Sequence, residues 1–116
     1  MTSDADTRSL PSWRSEPGAT SGSFQGEGHR SDVSVFVVDM PPDKGPKLHR
    51  HPYSETFVLL AGSGRFRLDG LEVEAAAGDI VVAPAEAAHG FTAIGPENLR
   101  LVAIHAAPTM ETAWLE

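Results

Sequence analysis

The sequence predicts an all-β domain, a sandwich or barrel of short strands. No segment after residue 30 shows the apolar period of a long helix. Instead, short runs rich in β-branched and aromatic residues alternate with turn signals about every ten residues. Two of the turns, at residues 62–64 and at Asp69-Gly70, have the glycine-rich composition of tight hairpins. With 116 residues the chain is long enough for one domain with one core.

The first 25 residues differ from the rest in composition. They are rich in Ser, Thr, Gly, Pro and Asp and show no apolar period. Such a segment buries too little surface to offset the entropy lost on ordering. We therefore interpret residues 1–25 as a flexible N-terminal arm and residues 26–116 as the single β-barrel domain. Leu10 and Trp13 are suited to docking part of the arm on the body or on a neighbouring subunit.

Eight strands are predicted in order along the domain. Their limits follow the turn signals, since Pro41-Pro42 stops the first run and Gly95-Pro96 precedes the last. The predicted strands span residues 33–40, 47–51, 55–62, 64–70, 71–78, 79–84, 88–95 and 98–106. Residues 108–116 are predicted to form either a short helical turn or an extended tail.

Alternation along the strands predicts which side chains point inward, because every second residue of a strand lies on the same face. By this pattern, the walls of an apolar pocket are predicted to be formed by Phe57, Phe66, Phe91, Leu101 and Val35. The same pattern turns five ionisable residues toward the interior: His49, His51, Glu55, His89 and His105. Four apolar residues are predicted to face outward and suit a homodimer interface: Phe36, Val38, Val102 and Ile104.

Charge and composition exclude several classes of function. The formal net charge is −7, and the nine Lys and Arg residues form no stripe, so nucleic acid is not an expected partner. No run approaches the roughly 18 apolar residues of a membrane span, and nothing reads as a secretory signal. Cysteine is absent, which excludes disulfides and thiolate metal sites. We expect a cytoplasmic protein whose partner is a small molecule, with no membrane association.

The inward ionisable residues predict a metal site when they are taken together. A single inward histidine is more often a core residue with a satisfied hydrogen bond, and a single glutamate at a strand start is usually solvated. Burying a carboxylate among imidazoles is costly unless a cation pairs with them. Histidine and carboxylate are common ligands of Fe, Mn, Ni, Cu and Zn, so one divalent transition metal ion is the expected cofactor.

The spacing of these residues resembles the first motif of the cupins, G-x5-H-x-H-x(3,4)-E-x6-G. From the first histidine onward, His49-x-His51-x3-Glu55-x6-Gly62 matches it in full. The leading glycine does not match, because Asp43 stands at that spacing. The motif therefore has its ligand positions intact and a substituted turn position.

The sequence also resembles part of the second cupin motif, G-x5-P-x-G-x2-H-x3-N. Gly78, Pro84 and His89 stand at the motif positions, whereas Glu86 replaces the second glycine and Ala93 replaces the asparagine. Glu86 is interpreted as a surface turn residue, with a second possibility that its carboxylate accepts a hydrogen bond from His89. The short gap between the two motifs is similar to that of small, single-domain microbial cupins.

The resemblance implies a small double-stranded β-helix, or jelly-roll barrel. It also implies that the metal ligands are His49, His51, Glu55 and His89. Four protein ligands on an octahedral ion leave two positions for water, dioxygen or a chelating substrate. The implied function is a metal-dependent enzyme acting on a small, partly apolar molecule, with a dioxygenase-like reaction favoured. The alternatives are a cyclase or isomerase of secondary metabolism, or a non-catalytic binding or sensing module.

Two further residues are candidates for catalysis. His105 is positioned to act as a general acid or base, or to hydrogen-bond a group on the metal. Its alternative role is that of a strand-end histidine bonded to backbone. Tyr53, in the loop after His51, is positioned to donate a hydrogen bond to a substrate, or only to pack there.

Overall fold

The computed structural model describes residues 10–116, which form ten β-strands and contain no helix. The strands are β1 (Gly22–Gln25), β2 (Ser34–Met40), β3 (His49–Arg50), β4 (Glu55–Ala61), β5 (Ser63–Leu68), β6 (Leu71–Ala76), β7 (Ile80–Ala83), β8 (His89–Ile94), β9 (Leu99–His105) and β10 (Ala113–Trp114). Accordingly, the described part of the chain has no helix that could cross a membrane.

Two five-stranded antiparallel sheets face each other. The first sheet has the order β1-β2-β9-β4-β7, and the second has the order β10-β3-β8-β5-β6. From β2 to β10 successive strands alternate between the sheets, except for the directly paired β5 and β6, so the chain winds into a double-stranded β-helix. The predicted all-β jelly-roll fold is confirmed, and all eight predicted strands are present as β2–β9.

Strand β1 lies inside the segment that the sequence assigns to the flexible arm. Gly22–Gln25 pairs with β2 in an antiparallel register that matches Phe24 with Val35. The arm as predicted is therefore too long by at least four residues, since 22–25 belong to the first sheet. Trp13 is half-buried, whereas Leu10 is exposed. Residues 1–9 of the predicted arm lie outside the described residues.

Strand β2 presents the opposite face from the one predicted. Phe36 pairs with Ala103, and Val38 pairs with Leu101; both partners are buried core residues of β9. Residues on paired positions share a face, so Phe36 and Val38 point into the barrel. Val35 points outward beside Ile104. The expectations of an inward Val35 and an outward Phe36 and Val38 are wrong.

The hydrophobic core fills the barrel between the two sheets. Phe66, Leu59, Leu99 and Leu101 are its largest fully buried apolar side chains. The ring of Phe66 lies 5.1 Å from that of Phe91 and 5.2 Å from that of Phe57, at the centroid separations typical of interacting aromatic pairs. The ionisable residues lie at one end of the barrel, next to this core.

Two positions that carry glycine in the cupin motifs keep a glycine-like backbone here. Asp43 has φ of 71° and Glu86 has φ of 67°, both in the left-handed region. Glu86 is exposed, and its backbone N–H donates to the carbonyl oxygen of His51 at 2.7 Å. The substitutions therefore leave the turn geometry in place, and Glu86 is the surface turn residue expected.

Candidate metal centre

Strand ends from both sheets bring five ionisable residues to one end of the barrel. His49 and His89 are the first residues of β3 and β8 and are paired across the second sheet. Glu55, the first residue of β4, is paired with His105, the last residue of β9, in the first sheet. His51 follows β3 directly. The two sheets therefore place their ionisable side chains opposite each other across the interior of the barrel.

Four of these residues form a compact, buried cluster. The ligand atoms of His49, His51, Glu55 and His89 all lie within 4.8 Å of one another. Glu55 is 4 % exposed, so its carboxylate is shielded from water. Its Oε1 lies 3.0 Å from Nε2 of His51 and 3.0 Å from Nε2 of His89. The four ligands implied by the cupin spacing are thus brought together.

Backbone carbonyls fix the ring protons of the three cluster histidines. Each Nδ1 lies 2.7–2.8 Å from a carbonyl oxygen, with the pairs being His49 with Lys47, His51 with Glu111 and His89 with Ala87. A carbonyl oxygen only accepts hydrogen bonds. Each Nδ1 therefore carries a proton, and in the neutral ring each Nε2 carries a lone pair.

The donor set fits a metal ion. The Nε2 lone pairs of neutral His51 and His89 face the same carboxylate oxygen, which is repulsive unless a cation lies among them. Nε2 of His51 is buried and has no hydrogen-bond partner in the protein. Three imidazole nitrogens fixed by carbonyls, with one carboxylate, form a typical donor set for a transition metal. The cluster supports a single divalent metal ion.

The surroundings shift the pKa values of three cluster residues. Burial lowers the pKa of His49 and is the main cause there. For His51, burial also lowers the pKa, but the Glu55 carboxylate and the Glu111 carbonyl outweigh it and raise the pKa above 6.5. Burial raises the pKa of Glu55, but contacts with His105, His51 and His89 outweigh it and hold the pKa far below its usual range.

These shifts predict how metal affinity depends on pH. Glu55 stays ionised through the neutral range, whereas His51 must lose a proton to ligate a metal ion. Below the raised pKa of His51, the dissociation constant of Zn²⁺ or Mn²⁺ is expected to rise about tenfold per pH unit, because one proton is displaced. Titrations between pH 8 and pH 5.5 measure this slope. A flat dissociation constant would contradict the assignment of His51 as a ligand.

An apolar cavity of about 650 Å³ opens beside the cluster. Phe57 and Phe91 line it, as predicted from the sequence. Phe66 and Leu101 do not, because they lie in the core below the cavity, 1 % exposed each. The residues that the sequence interpretation missed include Phe36, Val38, Met40 and Trp114. The polar lining groups outside the cluster are Lys44, His105 and Thr112.

His105 and Tyr53 form a pair at the edge of the cluster. The Tyr53 hydroxyl lies 2.7 Å from Nδ1 of His105 and accepts a hydrogen bond from the Glu111 backbone N–H at 3.1 Å. Nε2 of His105 lies 3.1 Å from Oε2 of Glu55. His105 is 2 % exposed. It is therefore close to the carboxylate and outside the group of four mutually close ligand atoms.

The last residues close one side of the site. Residues 113–114 form β10 and pair with β3, and the Trp114 ring lies 4.8 Å from that of His49. Glu116 accepts two hydrogen bonds from Arg67, at 2.8 and 3.1 Å, which ties this segment to β5. The extended alternative for the tail is thus the observed one. Thr112 and Trp114 supply cavity wall from this segment.

Together, the fold and the buried cluster define a double-stranded β-helix protein with a three-histidine, one-glutamate metal site. The chain belongs to the cupin family, since the family model described as the cupin domain matches residues 36–105. That match includes all four cluster residues and His105.

Comparisons with individual proteins give one similar sequence and many similar folds. The chain is 36% identical over 69 residues to dimethylsulfoniopropionate lyase DddW of Ruegeria pomeroyi, covering 60% of this chain and 45% of that protein. It therefore spans less than half the length of this curated relative.

Two solved structures illustrate the fold. A protein of Klebsiella pneumoniae with a double-stranded β-helix domain superposes with a TM-score of 0.71 at 22% identity, over 87% of this chain and 89% of that one. Oxalate decarboxylase of Bacillus subtilis gives a TM-score of 0.74 at 16% identity, over 82% of this chain and 27% of that one. At these identities the likeness concerns the fold.

Proposed function

We propose that the protein is a metal-dependent enzyme whose metal ion is held by His49, His51, Glu55 and His89. The observation that carries this is the convergence of ring nitrogens with fixed protonation on one buried carboxylate oxygen. When bound, the ion supplies Lewis acidity, or redox chemistry if it is Fe, Mn or Cu. Elemental analysis of protein purified without a metal-affinity column tests the proposal. An absence of any transition metal, with no uptake on addition, would contradict it.

The substrate we propose is a small, partly apolar molecule with an anionic oxygen. A divalent ion with one carboxylate ligand has a net charge of about +1, which favours an enolate, carboxylate or phenolate oxygen beside it. The aromatic and aliphatic walls, including Phe36, Phe57 and Phe91, exclude water from the molecule's body. The cavity of about 650 Å³ is within the usual range for small-molecule sites.

Two reaction classes fit this site. An oxygenase-like reaction follows from the open metal positions expected for four protein ligands. A lyase reaction, which uses no oxidant, is favoured by the likeness to DddW over 69 residues. Turnover of one substrate under air and under anaerobic conditions separates them, because only the oxygenase loses activity without O₂. A cyclase or isomerase would also work without O₂, and would convert the substrate without cleaving it.

A non-catalytic binding or sensing role is the competing class of function. An enzyme needs a position at the metal that a substrate or water can exchange. Nitric oxide, added to the purified iron form, is expected to bind there and change the electronic spectrum. No spectral change with nitric oxide or with a chelating carboxylate would leave only a structural role for the metal.

We also propose that the protein is a cytoplasmic homodimer joined through the outer face of the first sheet. Several outward positions there are apolar, and Ile80 and Val82 on β7 are 63% and 49% exposed. Across β4, Ile80 lies on the same face as Val102, and Val82 lies on the same face as Ile104; both β9 residues are half-buried.

The dimer predicts a specific effect of charge on this face. Val82→Lys is expected to convert the dimer to a monomer, because burying an unpaired ammonium at the interface is unfavourable. Leu71→Lys, at a 70% exposed position on the other sheet, is the matched control and should leave the dimer intact. Light scattering measures both. A wild-type monomer would rule out the proposed assembly.

A further inference from the structure

His105 is bonded differently from the three histidines of the cluster. Their Nδ1 atoms face backbone carbonyls, whereas Nδ1 of His105 faces the Tyr53 hydroxyl at 2.7 Å. A hydroxyl can donate or accept, so the direction of this bond must be decided from its other partner. That direction also decides which nitrogen of His105 carries the proton.

The two partners of the Tyr53 hydroxyl indicate the direction. The backbone N–H of Glu111 can only donate to the Tyr53 oxygen, at 3.1 Å, so among the described residues Nδ1 of His105 is the partner that can accept the hydroxyl proton. With Nδ1 accepting, the proton of neutral His105 lies on Nε2. The opposite tautomer would place a bare lone pair 3.1 Å from a charged oxygen of Glu55, which is unfavourable.

The two oxygens of Glu55 therefore have different neighbours. Oε1 faces Nε2 of His51 and of His89 at 3.0 Å, on the side where the metal ligands converge. Oε2 faces Nε2 of His105 at 3.1 Å. Nε2 of His105 makes no well-aligned hydrogen bond to this oxygen, so the contact is electrostatic, between the dipole of the ring N–H and a buried anion.

We infer that Tyr53 and His105 are positioning residues that orient the Glu55 carboxylate for the metal. Tyr53 holds the ring of His105 in the Nε2–H tautomer, and His105 holds Oε2, which keeps Oε1 toward the other ligands. The inference rests on the proposed metal site. By this inference both residues act on the metal site through Glu55. The sequence suggested instead an acid–base role for His105 and a hydrogen bond from Tyr53 to the substrate. Partners of this kind typically change metal affinity 10- to 100-fold.

The test uses the full chain loaded with Mn²⁺ and two variants. Tyr53→Phe removes only the hydroxyl, and His105→Leu removes the donor to Glu55. Both are expected to raise the Mn²⁺ dissociation constant at least about tenfold. Both are also expected to change the zero-field splitting in the Mn²⁺ paramagnetic resonance spectrum, because the carboxylate is no longer held in one orientation.

Ser34→Ala is the matched control. Ser34 is fully buried, pairs with His105 across the sheet and donates to the Ala107 carbonyl at 2.8 Å, without touching the cluster. The substitution removes one hydroxyl, as Tyr53→Phe does, and should keep the wild-type affinity and spectrum. Wild-type binding with unchanged spectra in Tyr53→Phe would overturn the inference. If wild-type protein takes up no Mn²⁺, Zn²⁺ or Fe²⁺, the proposed metal site itself fails.

Discussion

His51→Ala is expected to leave the protein with less than about a tenth of the metal bound by wild type at equal added concentration. Loss of a partner that only hydrogen-bonds to a ligand costs 10- to 100-fold in affinity, and loss of a ligand costs at least as much. The change also removes the His51 Nε2 atom, which lies 3.0 Å from Oε1 of Glu55. Elemental analysis after dialysis measures the retained metal.

His29→Ala is the matched control, since the chain has five histidines and His29 is an exposed one outside the cluster. It should retain the wild-type metal content. Full retention in His51→Ala would show that the ligand assignment is wrong. Equal losses in both variants would point to adventitious binding by surface histidines.

Phe66→Ala is expected to lower the free energy of unfolding by about 3–5 kcal/mol. Its side chain is 1 % exposed and contacts the rings of Phe57 and Phe91, so the truncation leaves a cavity at the centre of the barrel. This loss is a large part of the roughly 5–15 kcal/mol by which a domain is stable. Urea denaturation followed by far-ultraviolet circular dichroism measures the shift in midpoint.

Phe36→Ala provides the comparison within the same residue type. Phe36 lines the cavity and is 38% exposed, so its truncation should cost less than about 2 kcal/mol and mainly enlarge the site. Similar losses for the two variants would mean that Phe36 belongs to the core as fully as Phe66. The pair therefore tests which of the two rings belongs to the core.

The fold and the cluster were predictable because their signals are periodic or locally spaced. Turn residues at about ten-residue intervals predict the strands, and alternation places His89 and Phe91 on one inward face. The spacing of His49, His51 and Glu55 is short enough to survive any uncertainty in strand limits. His89 is distant in sequence, but the second motif locates it.

The wrong predictions concern strands in which the alternation of apolar and polar residues carries little information. In β2 both faces are apolar, so alternation alone does not choose between Val35 and Phe36. Asp39 carries the missing signal, because it shares a face with Val35 and pairs with Arg100, the residue that marks the outer face of β9. Strand β1 contains one large apolar residue in a Gly- and Ser-rich segment. Its pairing depends on β2 and not on its own composition.

The depth of each inward side chain within the barrel is a second property that the sequence pattern does not predict. Inward direction predicts that Phe66, Leu101 and Phe91 share the interior, but it does not predict which of them reach the cavity. That depends on the height of each residue along the barrel axis, which follows from the strand registers. The contributions of Thr112 and Trp114 depend on β10, a two-residue strand without an alternating pattern.

The three ring protons of the cluster histidines have consequences for when the site can form during protein synthesis. His49 and His89 donate to carbonyls only two residues earlier, so these parts are complete as soon as their own segments exist. His51 donates to Glu111, sixty residues later in the chain. Nearly the whole domain must therefore leave the ribosome before this hydrogen bond can fix the ring of His51.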